Sequence, residues 1–155
     1  MKLVKEYMNK NVISFKPEDS IFTVAEKFYK GHISGAPVVE NDKVVGIISE
    51  TDIIKFMRIS IPENPEATAE PHLLTLLLVG LVKGRVALKK SLEKLAEIEV
   101  KDLMCNEIVS ISSDQSIIDA ATIMSKHKVN RLPVIDDNKL VGILSRADLI
   151  KALVD

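Results

Sequence analysis

The sequence predicts an α+β protein made of two β-α-β-β-α repeats with a helical insert between them. Three observations carry this reading. The chain aligns with itself without a gap, Val4–Met57 against Val100–Leu153. Within each repeat, short apolar runs alternate with stretches of helical apolar spacing. Between the repeats lies an unrelated segment whose leucines recur at intervals of three, four and seven. The organisation is therefore repeat 1 at 1–57, the insert at 58–99 and repeat 2 at 100–155. A unit of this size buries too little surface to be comfortable alone, so the two repeats should pack on one another.

Each repeat opens with a short apolar strand, Val12–Phe15 or Ile108–Ile111. A turn leads to an amphipathic helix that starts at Ser20 or Ser116. Its apolar face is Ile21, Val24, Ala25 and Phe28 in repeat 1, and Ile117, Ala120, Ala121 and Met124 in repeat 2. Gly31 is the expected stop of the first of these helices; His127 holds that place in repeat 2, so its stop differs. Pro37-Val38-Val39 and Pro133-Val134-Ile135 read as strands. The polar pairs Asn41-Asp42 and Asp137-Asn138 then lead straight into Val44–Ile48 and Leu140–Leu144, which is a hairpin signal. A closing helix starts near Ser49 or Ser145.

In the insert, Pro62, Pro65 and Pro71 break regular structure, and a helix is expected from His72 to about Glu97. Leu74, Leu77, Leu81, Leu88, Leu92 and Leu95 form its apolar stripe, and Lys89–Glu93 is an i,i+4 pair of opposite charge. Its first half is apolar nearly all round and must be covered, either by the repeats or by a partner. Gly80 and Gly84 stand one turn apart, a weak signal outside a membrane.

Composition bounds the function. Of 155 residues, 46% are hydrophobic and 28% charged, with a net charge of −1. A core is affordable and disorder is not expected. The balanced charge argues against a nucleic-acid partner. Two tyrosines and four phenylalanines are too few for a base-stacking platform. One cysteine, Cys105, excludes an intrachain disulfide framework and fits a reducing compartment; it has no motif and is expected to be partly buried and inert. The apolar run Leu73–Val82 is about half of a membrane span, and MKLVKEYMNKN has no signal-peptide core. A cytoplasmic protein without membrane partners is expected. His32, His72 and His127 share no metal-ligand spacing and are assigned to surface or packing. No residue set proposes a nucleophile, and no Walker or dinucleotide fingerprint is present, so no enzyme is expected.

One motif stands in both repeats: Gly46-Ile-Ile-Ser49-Glu-Thr-Asp52 and Gly142-Ile-Leu-Ser145-Arg-Ala-Asp148, each at a strand-to-helix junction. Spacing alone favours a capping box, in which serine and acid satisfy the orphan amides of the helix start. The same geometry also suits a ligand. A helix N-terminus with a hydroxyl can hold a phosphate, and a carboxylate beside it can accept two hydrogen bonds from a ribose diol. Arg131, whose counterpart in repeat 1 is Gly35, is a planar fork suited to phosphate if one binds nearby.

Together these features resemble a tandem pair of CBS domains, a Bateman module. The resemblance rests on VKEYM and VKDLM, on the helix starts PEDS and SDQS, on Ala36-Pro37-Val38-Val39 and Leu132-Pro133-Val134-Ile135, and on both G-x-x-S-x-x-D strings. It implies two repeats paired about a pseudo-twofold axis and two clefts between them. It further implies an adenosine-containing ligand: AMP, ADP, ATP, S-adenosylmethionine or methylthioadenosine. No cofactor is required. Carried over residue by residue, the first cleft uses Ser49 and Asp52 with Val109, Val129, Asn130 and Arg131. The second uses Ser145 and Asp148 with Ile13, Ile33, Ser34 and Gly35. Asn130-Arg131 stands where nucleotide-binding members carry a His-Arg pair; the arginine is kept and the histidine is lost. The first cleft is thus expected to prefer phosphorylated adenosine. The second should be empty or take a ligand of little negative charge. The resemblance implies a regulatory module acting on an unidentified partner protein, and a homodimer, which the leucines of the insert also favour. The competing reading is an interaction scaffold with vestigial clefts, in which S-x-x-D only caps helices.

Overall fold

The computed structural model describes residues 1–59 and 97–155. The expectations for the insert between them, its helix and its glycine pair included, lie outside the described residues. Repeat 1 contains α1 (Val4–Tyr7), α2 (Ile21–Gly31), β1 (Gly35–Glu40), β2 (Lys43–Ser49) and α3 (Glu50–Ile59). Repeat 2 contains α4 (Val100–Leu103), α5 (Ile117–His127), β3 (Arg131–Asp136), β4 (Lys139–Ser145) and α6 (Arg146–Val154). The α+β class and the two repeats are as the sequence predicts.

The hairpins form for a local reason. Asn41-Asp42 and Asp137-Asn138 all take positive φ, between 49° and 62°. Two left-handed residues make a type I′ turn, whose twist matches the strands it joins. Pairing runs Ala36↔Ile48 and Pro37↔Ile47 in repeat 1, Leu132↔Leu144 and Pro133↔Ile143 in repeat 2. Each hairpin carries a bulge at the same place, after Val38 and after Val134.

The expected opening strands are reduced to single bridges. Phe15 donates to Pro37 O at 3.1 Å and accepts from Val39 N at 2.8 Å; Ile111 does the same with Pro133 O and Ile135 N. Extending either parallel ladder toward the N-terminus would require an N–H from Pro37 or Pro133, and proline has none. Downstream, a turn closed by Asp19 Oδ2 on Lys16 N at 2.8 Å, or by Gln115 Oε1 on Ser112 N at 3.0 Å, ends the run.

Helices α2 and α5 start on Ser20 and Ser116, whose hydroxyls accept from Thr23 N and Asp119 N. The first stop falls one residue later than expected, and the second does not differ from it but falls at the equivalent residue. Gly31 is still helical, and the left-handed residues are His32 and Lys128, at φ 50° and 55°. Ile33 N and Val129 N then bond back to Phe28 O and Met124 O at 3.2 and 3.1 Å. That Schellman-type closure, with Ile33 and Val129 packed on a core, holds side-chain-bearing residues where glycine is usual. Ala25 and Ala121, assigned to the apolar faces, are exposed; Ile21, Val24, Phe28, Ile117, Ala120 and Met124 are buried.

The two cores exchange their first turns. Val4 belongs to the core of repeat 2, with Ile111, Leu132, Val134 and Leu144. Val100 belongs to the core of repeat 1, with Phe15, Ile21, Val24 and Ile48. Matching backbone bonds fasten the exchange. Val4 N reaches Gln115 O at 2.9 Å, and Val100 N reaches Asp19 O at 2.8 Å. Asn9 bonds in both directions to Ile143, and Cys105 to Ile47. Gly142 and Gly46 permit these crossings. A Cβ on Gly142 would stand 2.6 Å from Met8 Sδ and 3.2 Å from Asn9 O; on Gly46, 2.6 Å from Met104 Sδ and 3.0 Å from Cys105 O. The motif glycine is therefore a packing requirement, and each repeat is completed by the other about the pseudo-twofold axis.

Candidate functional site

At the junction of β2 and α3, Asp52 Oδ2 accepts from Ser49 N at 2.8 Å and from Ser49 Oγ at 2.9 Å. At the junction of β4 and α6, Asp148 Oδ2 accepts from Ser145 N and Ser145 Oγ, both at 2.7 Å. Each is a capping arrangement, as the local pattern requires. Capping does not by itself make a site. The same box joins Ser116 and Asp119, where Oδ2 accepts from Ser116 N and Oγ at 3.1 and 2.7 Å. Those hydrogen bonds hold the Asp119 carboxyl below its ordinary value.

Ser49–Asp52 has open space beside it. A cavity of about 530 Å³ is lined by Ser49, Asp52, Val109, Val129, Asn130 and Arg131. These are the six residues assigned to the first cleft from sequence. They come from both repeats. The crossing segment over Gly46 brings Cys105, Glu107 and Val109 to the lining, and the end of α5 and the start of β3 supply the rest of the repeat 2 share. A volume of this order suits a small organic ligand, for which pockets of about 300–1,000 Å³ are usual.

The wall also holds residues that the sequence reading missed. Lys55 lies on α3 in the turn after Asp52, and His127 and Lys128 close α5 just before Val129. The helical offset from Asp52 and the adjacency to Val129 were the available signals. His127 is exposed, as a surface residue is expected to be, and also lines the cavity. Cys105, expected partly buried, is exposed. Lys55, Lys128 and Arg131 share the lining with Glu50, Asp52 and Glu107, so cationic and anionic groups are both at hand.

Arg131 crosses from repeat 2 to repeat 1. Its Nη2 donates to Ser34 Oγ, and its guanidinium lies over Gly35. Burial lowers its pKa and the nearby Glu50 carboxylate opposes that; a guanidinium stays protonated either way. Ser34, assigned to the second cleft, lines the first. Ile13 is 40% exposed, and Ile33 packs on the core of repeat 1. No group of three or more His, Cys, Asp or Glu suited to a metal occurs among the described residues. No helix among them is long and apolar enough to cross a membrane.

The CBS-domain family model matches twice, at residues 4–59 and 100–155. The chain belongs to the CBS-domain family. It is 38% identical over 160 residues to Uncharacterized protein MJ1426 of Methanocaldococcus jannaschii, covering 98% of this chain and 91% of that one. Two other curated relatives are longer, and the chain spans 37% and 63% of them. Among solved structures it is similar to CBSX2 in complex with AMP, with a TM-score of 0.71, 23% identity, and coverage of 99% of this chain and 97% of that one. It is also similar to the CBS domain pair of protein MJ0100 in complex with 5′-methylthioadenosine and S-adenosyl-L-methionine. There the TM-score is 0.69, the identity 22%, and the coverage 99% and 97%. At these identities the two structures establish the shared CBS-pair fold.

Proposed function

We propose that this CBS pair is a non-catalytic regulatory module that binds an adenosine-containing ligand in the first cleft and signals to a partner protein. The observation that carries the reading is the cavity itself: both repeats line it, with Ser49 and Asp52 at a helix start and Arg131 in the same wall. Asp52 is placed to accept from a ribose diol, the helix start and Ser49 to meet a phosphate, and Arg131 to pair with its charge. Val109 and Val129 supply apolar walls for a base. Support comes from CBSX2, which binds AMP, and from the MJ0100 pair, which binds methylthioadenosine and S-adenosylmethionine. A ligand held by both repeats favours one arrangement of them over others, which is the physical basis of a signal. Exposed Ile118, Ile150, Leu153 and Val154 on α5 and α6 support a homodimer. A cytoplasmic location fits the composition.

The test is a thermal-shift screen of the whole protein with AMP, ADP, ATP, S-adenosylmethionine and methylthioadenosine, beside Asp52→Ala, Asp148→Ala and Arg131→Ala. A ligand at about 100 times its Kd adds about 2.7 kcal/mol to stability, a rise of several degrees for a chain of this size. The rise should vanish in Asp52→Ala and survive in Asp148→Ala. A protein freed of co-purified ligand that responds to none of the five is instead the scaffold. Asp52→Ala would then cost only the cap, about 0.5–2 kcal/mol.

A further inference from the structure

Arg131 and Gly35 are equivalent residues, the first of β3 and of β1, paired in register with Ser145 and Ser49 respectively. Across the pseudo-twofold axis they meet. A Cβ on Gly35 would overlap Arg131 Nη1 and stand 2.5 Å from Cζ, and Ser34 Oγ accepts from Nη2. Gly35 is buried and Arg131 half-buried, so the guanidinium fills a defined volume above the start of β1. Two equivalent residues that meet on an axis compete for one volume. If both were arginine they would collide, and their like charges would repel at close range. An arginine on one side therefore needs a partner without a side chain on the other.

We propose that Ser34 and Gly35 form the seat of Arg131: they are positioning residues that hold the cation of repeat 2 in the wall of the first cleft and so set that cleft's preference for an anionic ligand. This reassigns both residues. They were expected to line the second cleft; here Ser34 faces the first and Gly35 is covered by the arginine. The ligand-preference part rests on the adenosine-ligand reading; the seat itself does not.

The experiment is a cycle of Gly35→Ala, Ser34→Ala and Arg131→Ala in the full chain, with two readouts. The first is melting temperature without ligand. Gly35→Ala should lower it modestly in the native background, because the guanidinium, the far end of a flexible side chain, must move out of its seat. In the Arg131→Ala background the drop should fall below half. It should not vanish, since Ile48 O would still lie 3.2 Å from the new Cβ. Equal drops in both backgrounds overturn the seat. The second readout is affinity for AMP against methylthioadenosine, which carries no phosphate. Gly35→Ala and Ser34→Ala should each weaken AMP on the order of tenfold, the scale of one charge-assisted hydrogen bond. Methylthioadenosine should change less than about twofold, and neither variant should add to the AMP loss of Arg131→Ala. Equal losses for both ligands overturn the preference. If the unmodified protein binds neither, the adenosine-ligand reading fails and the melting cycle alone decides the seat.

Discussion

Val4 stands in repeat 1 by sequence and in the core of repeat 2 by packing, so its truncation should damage the other half of the molecule. Val4 is fully buried, and its cluster holds Ile111, Leu132, Val134 and Leu144. Val4→Ala removes two methyl groups, worth about 0.8 kcal/mol each in transfer. The cavity left behind adds to this, for a total of about 2–3 kcal/mol. At about 2–4 °C per kcal/mol for this chain length, the melting temperature should fall by about 4–12 °C. The location of the damage is read from double-mutant cycles in urea. Val4→Ala is paired once with Leu144→Val and once with Ile48→Val, mild changes at equivalent positions in the two cores. Partners in one cluster couple by about 0.5 kcal/mol or more, whereas distant sites add within about 0.3–0.5 kcal/mol. Coupling is expected with Leu144 and additivity with Ile48. Coupling to Ile48 that equals or exceeds coupling to Leu144 refutes the exchange of first turns.

Two further outcomes follow from single residues. Hydrogen bonds from Ser113, through side chain and backbone, hold the Asp136 carboxyl below its ordinary value of 3.8, helped by Ser112 and Lys5 and opposed by burial. A depressed carboxylate stabilises the fold above the unfolded value and loses that contribution as pH falls through the folded one. Asp136→Asn should therefore be less stable at pH 7, with the deficit shrinking below the ordinary value of 3.8; a deficit constant across urea melts from neutral to acid pH would contradict this. His32 ends α2 at φ 50° with no part in the cavity. A left-handed residue with a side chain costs about 1–2 kcal/mol, partly offset by glycine's greater freedom when unfolded. His32→Gly should raise stability by about 0.5–1 kcal/mol in a thermal melt, and a loss would show that the imidazole makes a contact of its own.

The sequence by itself determined everything that depends on neighbours along the chain. Gapless repetition set the two units. Ser20, Ser116, Ser49 and Ser145 marked helix starts because a hydroxyl caps the amides a few residues on. Asn41-Asp42 and Asp137-Asn138 marked the hairpins because those side chains tolerate left-handed backbone. The first-cleft residues were legible too, once the repeats were seen to resemble a CBS pair. The tertiary structure decided what depends on chain segments far apart. Helical spacing alone placed Ala25 and Ala121 on buried faces, but both are exposed. The opening strands shrank to Phe15 and Ile111 because the prolines that identify β1 and β3 also withhold the N–H that a longer parallel ladder needs. Val4 and Val100 changed cores because a short apolar turn carries no address; only the complementary space in the opposite repeat supplies one. Ser34 lines the first cleft and Gly35 lies under Arg131 for the same reason. Nothing along the chain near them announces an arginine arriving across the axis, and the volume left by a missing side chain has meaning only when its occupant is in place.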